Sequence, residues 1–237
     1  MTHVRNVDAL TRLVSLCSGY GGTYNPGRPT LQVKALATLL SQAQQALQNV
    51  GVHKARFEQA RNARQRQFKE AVALAQRVAR NFQAFRPAPE TLADVRVFVR
   101  LLTGAQSRKQ LEVTVAEGET PKVGRGRPRA FVSQAQYFAE MVQIIQTEAA
   151  YKPNEPALTP AALAAYAKQL SDLNKQVAEA HMAYKLAIQQ RNELLYHSAQ
   201  SVYATVQDVK NYLRALFTAD SEQYRAALRL VVTKPAS

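Results

Sequence analysis

The sharpest chemical pattern in the chain is Gly124-Arg125-Gly126-Arg127-Pro128-Arg129. A narrow A·T minor groove concentrates negative potential and draws arginine side chains into it. Glycine brings no side chain to meet the groove walls, and proline keeps the backbone extended. In such a groove Arg125 and Arg127 would insert, Arg129 and Lys122 would meet phosphates, and Gly126 and Pro128 would set the path. The same hexapeptide is also what a solvated basic linker would contain. A second candidate is the run Lys54, Arg56, Arg61, Arg64, Arg66, Lys69, Arg77, Arg80 and Arg86, which faces only Glu58 and Glu70 across residues 54–86. Arginine outnumbers lysine seven to two there, which suits forked contacts to phosphate. Six phosphate contacts would give log K a slope of roughly −5 against log salt. The alternative is a solvated helix face.

Other chemistries find little support. His3, His53, His181 and His197 form no His-x-x-x-His pair and no Glu-x-x-His pattern on one helix face. There is no Gly-x-x-x-x-Gly-Lys phosphate loop and no Gly-x-Ser-x-Gly elbow. The 17 acidic residues are scattered, so paired acid–base carboxylates are not evident. Cys17 is the only cysteine, which rules out an intramolecular disulfide and reads as a small apolar residue on a helix face. Tyr137, Tyr151, Tyr166, Tyr184, Tyr196, Tyr203, Tyr212 and Tyr224 recur at helical spacing, which favours core packing with hydroxyls at the rim over stacking on bases. The sequence therefore predicts neither catalysis nor a metal or cofactor.

The charge is large and unevenly placed. Of a net +14, residues 1–130 hold 21 Lys/Arg against 8 Asp/Glu, while residues 131–237 hold 10 against 9. Self-repulsion on that scale calls for an anionic partner, and nucleic acid is the commonest one. A basic surface that only maintains solubility is the plainer reading. The first residues carry no apolar signal core, and no window approaches the ~18 uninterrupted apolar residues of a membrane span. With one cysteine, these features point to a reducing cytoplasm.

Elements that could position these residues emerge from an internal repeat. Tyr24-Asn-Pro26-Gly-Arg-Pro29-Thr-Leu31 matches Tyr151-Lys-Pro153-Asn-Glu-Pro156-Ala-Leu158 at a shift of 127 residues. At that shift Leu36 falls on Leu163, Gln42 on Gln169, Val50 on Val177, Phe57 on Tyr184 and Arg64 on Arg191. Because they align, Arg64 and Arg191 also read as structural arginines within their own units. Leu13-Val14 resembles Met141-Val142 after a slip of one. After a further slip of three downstream, Arg80-Asn81-Phe82 resembles Lys210-Asn211-Tyr212, and Pro89-Glu90 resembles Ser221-Glu222 after two more. Each copy reads as a short apolar helix (5–18, 133–149), a Tyr-x-Pro-x-x-Pro corner, a long amphipathic helix (31–66 or beyond, 159–196), a further helix (69–86, 200–217) and a capped helix (90–103, 221–230). Leu111-Glu112-Val113-Thr114-Val115 alternates and could pair with Ala130-Phe131-Val132 as a small β-hairpin.

Two resemblances add to this. Gly124–Arg129 resembles the core of an AT-hook, a minor-groove binder of AT-rich DNA. Val132-Ser133-Gln134-Ala135-Gln136-Tyr137, Tyr151-Lys152-Pro153-Asn154-Glu155, Leu194-Leu195-Tyr196, Asp208-Val209-Lys210-Asn211-Tyr212 and Phe217–Tyr224 together resemble an uncharacterised family of basic, internally repeated helical bacterial proteins. That family tends to have Asn-Pro after the Leu-Tyr, where this chain has His197-Ser198, which implies a softer break there. It implies an architecture and no activity.

The expectation is an all-α protein of two tandem, diverged helical-bundle repeats: 1–104 (basic), a basic linker 105–131, and 132–237 (near neutral). The expected function is non-catalytic binding of a polyanion, DNA ahead of RNA, in a nucleoid-associated or accessory role. The alternative is a scaffolding protein that forms homo-oligomers or binds an acidic protein partner.

Overall fold

In the computed structural model, residues 2–104, 130–218 and 220–234 are described. They are all-α, and no strand occurs among them. Helix α1 spans Thr2–Gly19, α2 Val33–Ala84, α3 Pro89–Thr103, α4 Phe131–Thr147, α5 Pro160–Asn192, α6 Val202–Phe217 and α7 Glu222–Leu228. Lys122, Arg125, Gly126, Arg127, Pro128 and Arg129 lie outside the described residues, as does Leu111–Val115. Phe131 and Val132 open α4 and are not a strand. The Phe131 side chain begins an apolar stripe that continues through buried Ala135, Phe138, Met141 and Ile145, at helical spacing, while Val132 is exposed.

The two Tyr-Pro corners fold alike. Pro29–Leu31 and Pro156–Leu158 each form one 3₁₀ turn. Tyr24 and Tyr151, 5% and 3% exposed, turn back so that the hydroxyl donates to a carbonyl seven residues on. That bond is 2.7 Å from Tyr24 to Leu31 and 3.1 Å from Tyr151 to Leu158. Burial pushes the Tyr151 hydroxyl up to about 12, and Tyr24 is raised for the same reason first. Leu36 and Leu163, the matched residues on the following helices, are both fully buried.

One expected break is absent. The separate helices 31–66 and 69–86 are a single 52-residue helix, α2. Gln67 and Phe68 carry no helix breaker, and the chain stops only near Pro87, where Arg86 takes φ 53°. In the second copy the break is real and complete. Helix α5 loosens into a π-turn over Glu193–His197, Ser198 is extended, and α6 restarts after Ser201, whose Oγ accepts from the Ala204 amide. Ser221 caps α7 in the same manner, accepting from the Tyr224 amide.

An unbroken α2 settles which segments share a core. Its second half cannot fold back on its first, so each half buries its apolar face against other helices. One compact unit takes Met1–Phe57 with Ala180–Ser237, and the other takes Glu58–Glu179. These units cut across the sequential halves 1–104 and 132–237. In the first, Leu10, Leu13 and Cys17 of α1 and Leu36 of α2 pack with Leu195, Val206, Val209 and Leu213. In the second, Phe68, Ala75, Val78 and Phe82 of α2 and Val95 of α3 pack with Phe138, Met141, Ile145, Leu163 and Leu170. Each core joins one Tyr-Pro corner and the helix before it to helices distant in sequence: α6 and α7 in the first unit, the second half of α2 and α3 in the second.

Cys17 is fully buried, and burial pushes its thiol from 9.0 up to about 11. We expect thiol-directed alkylation of the native protein at neutral pH to be negligible and to become complete on unfolding; rapid native labelling would contradict the burial. A thiol held protonated on folding contributes stability that is full below the ordinary value of 9.0 and is lost as pH rises through about 11. At the corners, Tyr24→Phe and Tyr151→Phe should each cost about 1–2 kcal/mol in urea unfolding, because a buried carbonyl loses its donor. Wild-type stability in both variants would show that water replaces the hydroxyl.

Candidate nucleic-acid interface

The second half of α2 lies in the second compact unit and has a clear division of faces. Phe68, Ala71, Ala75, Val78 and Phe82 are buried in that unit's core. At 3.6 residues per turn, Arg66, Lys69, Arg77 and Arg80 fall within a sector of about 80° centred opposite those five. All four are exposed, and none has an ion-pair partner among the described residues. They span about 21 Å along the axis at 1.5 Å per residue. Glu70 borders the stripe, and Asn62 and Gln65 sit beside Arg66 and Lys69 in a shallow depression. An array of this kind presents point and forked donors to phosphate oxygens, with Glu70 at its edge and no ion pair of its own among the described residues.

The other members of the run are placed differently. Lys54 and Arg56 are exposed but belong to the first unit. Arg61 meets Glu58 through two bonds of 2.9 and 3.1 Å, an exposed i,i+3 pair. Arg64 is partly buried. Its guanidinium lies 4.3 Å from the centre of the Phe131 ring, and its Nη1 reaches Asn174 Oδ1 at 3.5 Å. Asn174 in turn donates to the Phe131 carbonyl at 3.1 Å. Burial, then the nearby Arg61 charge, lowers the Arg64 ionisation. Arg64 thus fastens the start of α4 within its unit. Its counterpart Arg191 is also desolvated and donates twice to Asn192 Oδ1, at 2.7 and 3.1 Å.

Two cations outside the expected run join the array. Helix α3 carries Arg96 and Arg100, both exposed, at i+3 and i+7 from Ala93. With Arg80 and Gln76 of α2 they line an open groove of about 590 Å³. Arg96 Nη2 donates to Gln83 Oε1 at 3.1 Å. No carboxylate lines this groove among the described residues.

The tyrosines are mostly engaged in packing. Tyr166 donates to the Gln67 carbonyl at 2.9 Å, Tyr196 receives the Asn6 amide, and Tyr212 meets Tyr24 edge-on at 5.4 Å. His3 contacts the Tyr196 hydroxyl at 2.8 Å, and His181 stacks on Phe57 at 4.9 Å. No group of three or more His, Cys, Asp or Glu side chains converges among the described residues. No helix among them is long and apolar enough to cross a membrane. Comparison with models of known families, with curated proteins and with solved structures finds no match.

The contrast between Arg64 and the exposed stripe is measurable. Arg64→Ala should lower stability by about 1–2 kcal/mol through lost packing while leaving the salt dependence of anion binding unchanged. A flattened salt slope with unchanged stability would place Arg64 on the ligand instead.

Proposed function

We propose that the protein is a non-catalytic, cytoplasmic nucleic-acid-binding protein, DNA ahead of RNA, that grips phosphates with little sequence selectivity. The observation that carries this reading is the stripe Arg66, Lys69, Arg77 and Arg80, directed away from the core and without ion-pair partners among the described residues. Four uncompensated cations on one helix face raise the local potential and attract a polyanion. The matched position in the other copy supports the same view. Lys210, the counterpart of Arg80, donates to the Leu230 carbonyl at 2.6 Å, and burial lowers its ionisation. One copy uses its cation to hold the fold together, and the other leaves its cation free. Lys122, Arg125 and Arg127 would add minor-groove contacts with an A·T preference, with Arg129 on a phosphate and Gly126 and Pro128 shaping the backbone. The reading includes a duplicated helical unit as the origin of the two corners.

A second reading, assembly with copies of itself or with an acidic protein, has one observation in its favour. Met182 and Leu186 lie one turn apart on α5 and are 64% and 54% exposed. Paired exposed apolar side chains of that size are common at contact surfaces.

Binding of a labelled AT-rich duplex and a GC-rich duplex across a salt series separates the readings. The wild type should show a slope of roughly −5 in log K against log salt, and Arg66→Gln/Lys69→Gln/Arg77→Gln should flatten it by about three. Arg125→Ala/Arg127→Ala should remove any AT preference and leave most of the slope. No binding at low salt would overturn the nucleic-acid reading and favour assembly, which sedimentation would then register.

A further inference from the structure

The groove between α2 and α3 has a composition that the fold does not explain. Arg80, Arg96 and Arg100 converge on it from two helices, with the Gln76 amide beside them and Ala79 and Val99 supplying an apolar floor. Three guanidinium groups around one open space repel one another, and among the described residues their one hydrogen bond is from Arg96 to Gln83. Asp94 is exposed two residues from Arg96, on the far side of α3, and does not line the groove.

The positions matched to these by the sequence repeat carry no such cluster of charges. At the shift of 132 that aligns Glu90 with Glu222, Arg96 falls on Leu228, the last residue of α7, and Arg100 on Val232, which lies beyond that helix. Arg80 corresponds to Lys210, whose ammonium is held by the Leu230 carbonyl. Where one unit has an apolar residue, a second apolar residue and an internally bonded lysine, the other has three exposed guanidinium forks, one of them bonded to the Gln83 amide oxygen.

We propose that this groove binds two adjacent phosphoryl groups. Planar guanidinium forks match phosphate oxygens in pairs, and three of them exceed what one singly charged phosphodiester needs. A space of about 590 Å³ is also far larger than a lone phosphate requires. On the nucleic-acid reading above, on which this source of ligand rests, the two groups are consecutive backbone phosphates. Arg80 then belongs to both the stripe and the groove, and the strand passes from α2 onto α3. A free diphosphate has the same chemistry and is distinguishable by experiment.

The test uses the full chain, two variants and two probes. Arg96→Gln/Arg100→Gln removes both α3 forks. Arg96→Lys/Arg100→Lys keeps the charge and removes the fork, and thermal unfolding confirms that each variant is folded. The probes are the labelled duplex across a salt series and inorganic pyrophosphate by calorimetry. The glutamine variant should flatten the duplex slope by about two and abolish pyrophosphate binding. The lysine variant should keep the slope and bind pyrophosphate at least tenfold more weakly. A glutamine variant with the wild-type slope, beside an Arg66→Gln/Lys69→Gln/Arg77→Gln variant that loses its own share, would overturn the groove and leave the nucleic-acid reading standing. Pyrophosphate binding that depends on Arg96 and Arg100, in a protein that ignores duplex, would support the groove and overturn that reading. Failure to bind either probe at low salt would overturn both.

Discussion

Everything in this molecule follows from a helix that does not stop. The α2 sequence carries one glycine, Gly51, and no proline from Val33 to Ala84, so hydrogen bonding continues for 52 residues. A helix without a break cannot pack against itself, and its two apolar stretches, around Leu36 and around Phe82, have to find separate partners. Around Leu36 those partners are α1, α6 and α7, and around Phe82 they are α3, α4 and the start of α5. The break that the second copy has at Glu193–His197 leaves its closing helices free to reach that position. The corner bonds from Tyr24 and Tyr151 set the entry to each long helix, and the buried hydroxyls supply donors to the Leu31 and Leu158 carbonyls.

The same scaffold handles charge in two ways. Arg64 and Arg191 sit at matched positions, and both are desolvated and bonded within their own unit. That position is structural in either copy. Arg80 and Lys210 match as well, but only the lysine is used internally. Exposed arginines away from the core contribute little to stability, so a stripe of them opposite Phe68 and Phe82 is a property of the surface and not of the fold. Differences of this kind between positions matched in sequence separate the residues that build the structure from those left at the surface.

Much of the fold was legible in the sequence. The Tyr-x-Pro-x-x-Pro corners, the capping serine at 221 and the apolar spacing of α1, α4 and α6 are local signals, and local signals decide helix ends. Gln67-Phe68 was expected to separate two helices, although neither residue breaks one. Phe131-Val132 looked like a strand because two residues cannot distinguish periods of two and 3.6. The pairing of segments was not legible, since periodicity reports which face is buried and not what covers it. In the interface, the cationic run on α2 was visible from composition. Arg96 and Arg100 were not, because Glu90 and Asp94 cancel them along the chain, and only helical winding puts the arginines on one side.

The interleaving of the two cores also sets an order of events during synthesis. The core that holds Phe68 and Phe82 needs Leu163 and Leu170, so it can close once α5 has begun to emerge from the ribosome. The core that holds Leu10 and Leu36 waits for Val206, Val209 and Leu213, which follow Leu10 by 196 to 203 residues. Closing so large a loop has an entropic cost that grows slowly with length, but it delays the final search and lowers the folding rate. Until then α1 and the first half of α2 present an open apolar face on the nascent chain. That interval of exposure, created by nothing more than a helix that runs on, is where chaperones would find this protein.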